Sequence, residues 1–325
     1  MVVTKTAPGP PLDASLVVIA FNEEKRISTC IRSILEQDAH AVLEVIVVDD
    51  GSSDHTRELV LAEAKGDRRV RLVPLPANGG RGAARAAGVG EARAPAIGFV
   101  DADITLPPDW LRRCLAELPG RAAVGGTPVP DGDIAILANL SSATPRVVEG
   151  GMPITGSNVL FDASVLRAIG FDPRDRLGED FRLAARLLRA GHVLKRIPNL
   201  IVGHDEDKSY WAGLRWRYVN GLDASTHPRE LRILRFPDYA FAGWGLSWVA
   251  AILLSVTATP WALLVGLGAS AAGGVLHAAR SFERRPLGAF VLACVANVPL
   301  LNAYMLGRVV GLPRLVTGRR GAAAR

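Results

Sequence analysis

Asp101 and Asp103 stand one residue apart in FVDAD, where an apolar run ends. Two close carboxylates repel each other, so the pair calls for a cation, a proton or open water. If both keep strand geometry they share a face, because side chains alternate with period two. Hard oxygen ligands so placed suit Mg2+ or Mn2+, which take one or two carboxylates plus substrate phosphates. Acids recur where two other apolar runs end: Glu23 and Glu24 after Asn22, and Asp49 and Asp50 before Gly51. Any one of these alone is more often a turn former or a helix cap, and Asp54 reads as such a cap. Their recurrence at three run ends is not needed by a fold and points to one shared site. Arg81 and Arg85 lie between the second and third acid groups and suit an anion, or else a solvated helix face. No GxxxxGK[ST] phosphate loop is present.

Further along, Glu179 and Asp180 open a segment whose Phe181, Ala184, Ala185 and Leu188 follow helical spacing, with Gly191 as the stop. Acids there serve as helix caps or as a base that accepts a proton from a hydroxyl. TGSN, Thr155 to Asn158, offers Ser157 and Asn158 as hydroxyl contacts or as a plain turn. His204 in IVGHDED is a structural histidine or a metal ligand.

The elements that must carry these residues alternate. Ser15–Phe21, Val42–Asp50, Val70–Leu75 and Ala96–Asp103 read as buried strands. Helical segments separate them: one with Ile27, Ile31, Ile34 and Leu35, one in SSDHTRELVLAEAK, and the small-residue stretch GRGAARAAGVGEA. Strands alternating with helices predict a parallel sheet covered on both faces, with ligands beyond the carboxyl ends of the strands. That is where the acids fall.

The remaining third is different. Tyr239 to Ala279 holds no Asp, Glu, Lys or Arg, and Pro260 divides it into pieces of roughly 20 and 19 residues. Pro286 to Gly307 is a second uncharged run. Each is near the length needed to cross a bilayer, so two or three membrane helices are expected. Arg229, Arg232 and Arg235, then Arg280, Arg284 and Arg285, then Arg308, Arg314, Arg319, Arg320 and Arg325 flank these runs. All three groups favour the cytoplasmic side, which three crossings do not satisfy together. The net charge of +6 therefore fits a membrane surface better than nucleic acid. Cys30, Cys114 and Cys294 form no CxxC pair, which argues against a zinc site or a disulfide framework. MVVTKTAPGPPLDA lacks the apolar stretch of a signal peptide and reads as a loose tail.

FNEE, VVDDGSSD, NGGRGAARAAG, FVDAD, TGSN and GED, in this order, resemble the inverting family 2 glycosyltransferases with a GT-A fold. The resemblance runs from about Ser15 to His204 and implies a nucleotide-sugar donor with Mn2+ or Mg2+. It implies that Phe21, Asn22 and Glu23 line the nucleotide pocket, that Asp49 meets the base, and that Asn78 and Arg85 lie near the donor. Asp101 matches the acid near the ribose and Asp103 the metal-binding acid, with His204 as a further metal ligand. Asp180 matches the general base, with Glu179 as its neighbour and substitute. Ser157 and Asn158 match a segment beside the sugar or acceptor. The chain departs from the pattern at Ala86, where Asn usually follows the arginine. Processive relatives carry QxxRW; here Arg215 and Trp216 supply RW, but Ala212 replaces Gln, which argues against a cellulose- or hyaluronan-type synthase.

The expected layout is a tail (1–14), an α/β GT-A (Rossmann-like) nucleotide-sugar-binding domain (15–225) and an interfacial segment (226–238). Membrane helices (239–311) and a basic tail (312–325) complete it. The expected function is transfer of a sugar from a UDP- or GDP-sugar to a lipid-linked or polyprenyl-phosphate acceptor. Arg215 and Trp216 would contribute at the acceptor side, with the catalytic domain on the cytoplasmic face of the inner membrane. A nucleotidyltransferase and a noncatalytic nucleotide-sugar binder are the alternatives.

Overall fold

The computed structural model describes residues 13–37, 41–131, 155–205, 210–226, 236–257, 261, 263–281 and 287–317. They form two compact units, one built on the sheet and one on the C-terminal helices. The arginines at 229, 232, 235, 284, 285, 319, 320 and 325 lie outside the described residues.

In the sheet unit, β1 (Ala14–Ala20), β2 (Val42–Asp49), β3 (Val70–Pro74) and β4 (Ala96–Asp101) are joined by α1 (Ile27–Leu35), α2 (Thr56–Gly66) and α3 (Arg81–Glu91). These four strands pair in parallel, in the order β3-β2-β1-β4. β1, β2 and β4 are apolar and almost wholly buried, as strands covered by helices on two faces must be, whereas the edge strand β3 is only partly buried. Leu16, Val18, Val45 and Val47 point into a core under α1 and α2, which also takes Trp110 of α4 (Trp110–Glu117). Val17, Ile19, Ile46 and Val48 point the other way, into a core with Ala84 of α3.

Beyond β4 the sheet departs from the all-parallel expectation. β5 (Ile104–Thr105), β6 (Ala123–Asp131), β7 (Asn158–Asp162) and β8 (Leu194–Asp205) extend it in the order β4-β7-β6-β8-β5. β7 is antiparallel to β4 and β6, and β5 is antiparallel to β8. β7 leads into α5 (Ala163–Ile169), and α6 (Glu179–Arg189) precedes β8. Two glycines and two prolines in β6 and one proline in β8 hide these strands from a reading by apolar alternation. A second departure matters more for the site. β4 ends at Asp101, and Asp103 sits in the turn before β5, so the two acids do not share a strand face.

The opposite end of the sheet is held by Glu44, which is buried. Its carboxylate accepts from Ser15 Oγ (2.6 Å), Arg93 N (2.9 Å), Arg93 Nη2 (2.9 Å) and Arg71 Nε (3.2 Å). Burial opposes the charge, but the hydrogen bonds from Arg93, Ser15 and Arg71 outweigh it and bring the carboxyl down to about 2. A depressed folded-state value stabilises the fold above the ordinary glutamate range, and that stability is lost as pH falls toward 2. Glu44→Gln is expected to cost about 2–3 kcal/mol at pH 7 and to flatten the acid limb of the stability curve between about pH 4.5 and 2. Urea unfolding followed against pH checks this; an unchanged acid limb would show that Glu44 is not the anchor.

In the second unit, α7 (Tyr210–Ala224) packs on α10 (Leu287–Thr317), and α8 (Phe236–Thr257) and α9 (Leu263–Ser281) pack in series with it. The segment Val295–Pro313 is long and apolar enough to cross a membrane, by length and composition. Large apolar side chains stand exposed on these helices, among them Leu246, Val249, Leu253, Leu264 and Val295. Some of the polar groups inside pair with one another: Arg308 Nη2 donates to Asp238 Oδ1 (2.6 Å), and the Trp244 and Trp248 indoles donate to Ser270 Oγ.

Candidate active site

The carboxyl ends of β1, β2 and β4 build the candidate site. At the end of β1, Asn22 adopts a left-handed backbone (φ 57°), uncommon for a side chain other than glycine. The turn is fixed from β2's loop: Asn22 N donates to Ser52 Oγ (2.9 Å), Ser53 N to Asn22 Oδ1 (2.8 Å), and Glu23 N to Thr56 Oγ1 (2.8 Å). Phe21 is left exposed at this rim. Burial pushes the Glu23 carboxyl up, and nearby Asp103 adds to this, while Arg26 pulls it back down.

Asp49 ends β2 fully buried and does not present an open carboxylate. It accepts from Ser52 N (3.2 Å) and from Arg57 Nε, and Arg57 Nη2 also donates to Leu75 O (3.3 Å). The half-exposed Arg57, a residue that the sequence reading passed over, is thus the ion-pair partner of this buried carboxylate. Asp50 accepts from Gly79 N (2.7 Å) and Gly80 N (2.9 Å), holding the loop that carries Asn78. The Asn78 side chain in turn accepts from Arg176 Nη2 (2.8 Å).

The acids of FVDAD have different surroundings. Asp101 Oδ1 accepts from Arg85 Nη2 at 2.8 Å, so its charge is met inside the protein and not by open water or an incoming ion alone. Asp103 lies beside His204: Asp103 Oδ2 and His204 Nε2 are 3.2 Å apart. Ile104 pairs with His204 across β5 and β8, and Asp205 N donates to Asp103 O (2.9 Å), which fixes that register.

Arg85 is 1% exposed, so it does not open toward a ligand. Its second nitrogen, Nη1, donates to Glu179 Oε1. Glu179 is likewise buried; burial pushes its carboxyl up to about 7, against the pull of Arg85. This corrects the reading of Glu179 as a stand-in base: it faces the core. Asp180, next in α6, is partly exposed. Its Oδ2 accepts from Gly156 N (2.9 Å) and its Oδ1 from Phe181 N (2.7 Å). Asp101 N donates to Ser157 O (3.0 Å), so one turn, Thr155 to Ser157, connects Asp101 to Asp180. Asn158 is buried with its amide oxygen accepting from Gly126 N (2.7 Å), so Ser157 is the more exposed of that pair. Arg215 and Trp216 lie on α7, in the helical unit.

A divalent ion fits this chemistry. Among the described residues no cluster of three or more His, Cys, Asp or Glu side chains is arranged to hold one. A carboxylate and an imidazole side by side nevertheless match an ion that draws its other ligands from a bound diphosphate. Burial leads the upward push on the Glu23 carboxyl and Asp103 adds to it, a repulsion that a nearby cation would relieve.

Comparison with known proteins identifies the family and the fold. The family model described as glycosyl transferase family 2 matches residues 15–166, and that of glycosyl transferase family group 2 matches residues 96–306. The succinoglycan biosynthesis protein ExoO of Rhizobium meliloti is 37% identical over 199 residues, 55% of this chain and 56% of that protein. The dolichyl-phosphate beta-glucosyltransferase ALG5A of Trichomonas vaginalis is 40% identical over 96 residues, 27% of this chain and 30% of that protein. The chain thus spans about half or less of the length of these curated relatives. Among solved structures, a mannosyltransferase from Pyrobaculum calidifontis in complex with GDP-Man and Mn2+ superposes with a TM-score of 0.61 at 22% identity. That match covers 97% of this chain and 91% of the other and supports the GT-A fold.

Proposed function

The chain belongs to family 2 of the glycosyl transferases, and from that premise we propose that it moves one sugar, with inversion, from a nucleoside-diphosphate sugar to a membrane-near acceptor. The observation that carries the reading is the Thr155–Ser157 turn, which binds Asp180 through Gly156 N–H and Asp101 through Ser157 O. A base candidate and a donor-binding candidate are thereby held by the same three residues.

In this reading Phe21, Asn22 and Glu23 receive the nucleotide, together with Asp49 and its partner Arg57. Asn78 and Asp101 border the donor. Arg81 is exposed at the start of α3, and of the two arginines it is the one open to the diphosphate. Asp103 and His204 hold the divalent ion, which when bound stabilises the negative charge developing on the leaving diphosphate. Asp180 accepts the proton of the acceptor hydroxyl as that oxygen attacks the sugar carbon. Ser157 orients the sugar or acceptor by hydrogen bonding.

The acceptor is proposed to be a lipid-linked glycan or a polyprenyl phosphate. Support comes from the exposed apolar side chains of the helical unit and the apolar segment Val295–Pro313. The partial likeness to a dolichyl-phosphate glucosyltransferase adds to it. Arg215 and Trp216, an exposed arginine beside a half-buried indole, suit a bilayer interface. Location at the inner membrane with the sheet unit on the cytoplasmic side is part of this proposal.

The test is a donor screen with the membrane-extracted full chain, Mn2+ or Mg2+, and a panel of UDP- and GDP-sugars. Transfer to a polyprenyl phosphate or membrane-extracted lipid is the expected result. No nucleotide release from any donor by folded protein would sink the reading.

A further inference from the structure

We propose that Arg85 is a positioning residue that aims Asp180, by tying the end of β4 to the start of α6 through one buried guanidinium. The inference rests on the transferase reading and goes beyond it, because it separates Arg85 from the donor contacts. A donor contact needs N–H groups open to a ligand. At 1% exposure Arg85 has none to offer, and Nη1 and Nη2 already donate to Glu179 and Asp101.

The surroundings are built to keep it there. α3 presses against β1 through Gly88, where a Cβ would come within 2.4 Å of Val17 Cγ1. The guanidinium carbon lies 5.9 Å from the Phe99 ring centroid and 5.8 Å from that of Phe171. These rings and Phe161 form an edge-to-face set. On the other side the loop before α6 closes on the first turn of α3. Gly82 N donates to Asp175 O (2.9 Å), and a Cβ on Gly82 would meet that oxygen at 2.4 Å.

Asp180 is reached from this guanidinium by two short routes. Glu179 is the first residue of α6, so its bond to Arg85 fixes the position of the helix start and of the next side chain. Gly156 lies directly on the guanidinium: a Cβ there would fall 2.0 Å from Nη1. The same Gly156 gives Asp180 its N–H. Asp101, by contrast, is also held by its strand pairing and by its own N–H to Ser157 O. Loss of the guanidinium therefore releases the base side more than the donor side. A buried cation is stable only with its carboxylates in place, so the three side chains act as one unit.

The experiment uses the full chain with Arg85→Lys, Glu179→Gln and the double variant. It compares kcat for nucleotide release from the donor with the Kd of UDP and of GDP in the presence of Mn2+. Arg85→Lys is expected to lower kcat by about 10²-fold, as a misplaced catalytic group does. Its nucleotide Kd should stay within about threefold of wild type, the split that separates transition-state from ground-state effects. Glu179→Gln should lower kcat by about tenfold with the same unchanged Kd. The double variant should be no worse than Arg85→Lys, because coupled residues are not additive. Nucleotide affinity lost in proportion to kcat would overturn the proposal and make Arg85 a donor contact; multiplying losses in the double variant would also overturn it. Should Arg85→Lys not fold, Glu179→Gln decides alone: a kcat fall at constant Kd supports the proposal, and no fall overturns it. A wild-type chain that releases no nucleotide from any donor sinks the transferase reading and this inference together, whereas an active wild type with unaffected variants sinks this inference only.

Discussion

Replacing Asp180 with asparagine is expected to lower turnover by about 10²–10⁴-fold, the range that a positioned general base supplies. The substitution keeps the shape but only one of the two acceptor oxygens: Gly156 N–H addresses Oδ2 and Phe181 N–H addresses Oδ1, so the amide gives up one of these hydrogen bonds, while the Glu179–Arg85 pair still holds the start of α6. What it removes is the capacity to take a proton. The acceptor hydroxyl is a poor nucleophile while it keeps its proton, and no second carboxylate replaces the lost one. Glu179, the adjacent residue, is turned into the core against Arg85. Nucleotide affinity in the presence of Mn2+ should change little, because Asp180 is proposed to meet the acceptor and not the donor. The measurement is kcat for sugar transfer beside a nucleotide Kd. If Asp180→Asn leaves function intact while Asp103→Ala abolishes it, the catalytic reading fails in favour of a noncatalytic nucleotide-sugar binder.

The parallel half of the fold was legible because its strands are short continuous apolar runs whose ends carry Asn22, Asp49 and Asp101. Those ends are where the structure gathers them. The antiparallel half was not, since β6 and β8 break their patterns with glycine and proline at positions where the sheet tolerates them. The site was legible as a list of acids and less so as a set of partners. An arginine in GRGAARAAG reads equally as a solvated face or an anion contact; what decides is how close α3 comes to the sheet. A signal was present in the small residues themselves. Gly82 and Gly88 let helix, loop and strand approach to a distance at which a side chain such as Arg85 is sealed in. The burial of Asp49 and the role of Arg57 left no mark in the motif, because a strand-end aspartate has the same spelling whether it faces a ligand or a neighbouring guanidinium.

Removing the divalent ion with EDTA, or replacing Asp103 with alanine, is expected to cost about 10³-fold or more in turnover, since charge stabilisation by a bound ion is worth several kcal/mol. The prediction is specific to Asp103, although Asp101 is only two residues away. Asp101 Oδ1 already accepts from Arg85, and that carboxylate is held on the α3 side of the site. Asp103 lies in the β4–β5 turn, its Oδ2 3.2 Å from an imidazole nitrogen of His204, in a register fixed by the Ile104–His204 pair and the Asp205 N–H. In the proposed reading this carboxylate and imidazole would hold the ion, and the diphosphate would supply further oxygen ligands. Binding of UDP or GDP to the wild type should therefore be tighter with Mn2+ than without it. Asp103→Ala should remove that increment and leave the ion-free affinity nearly unchanged, and His204→Ala should reduce it in part. An Asp103→Ala protein whose nucleotide binding still responds fully to Mn2+ would place the ion elsewhere and overturn the assignment. A mere fall in affinity that is equal with and without Mn2+ would instead assign Asp103 to the nucleotide and not to the ion.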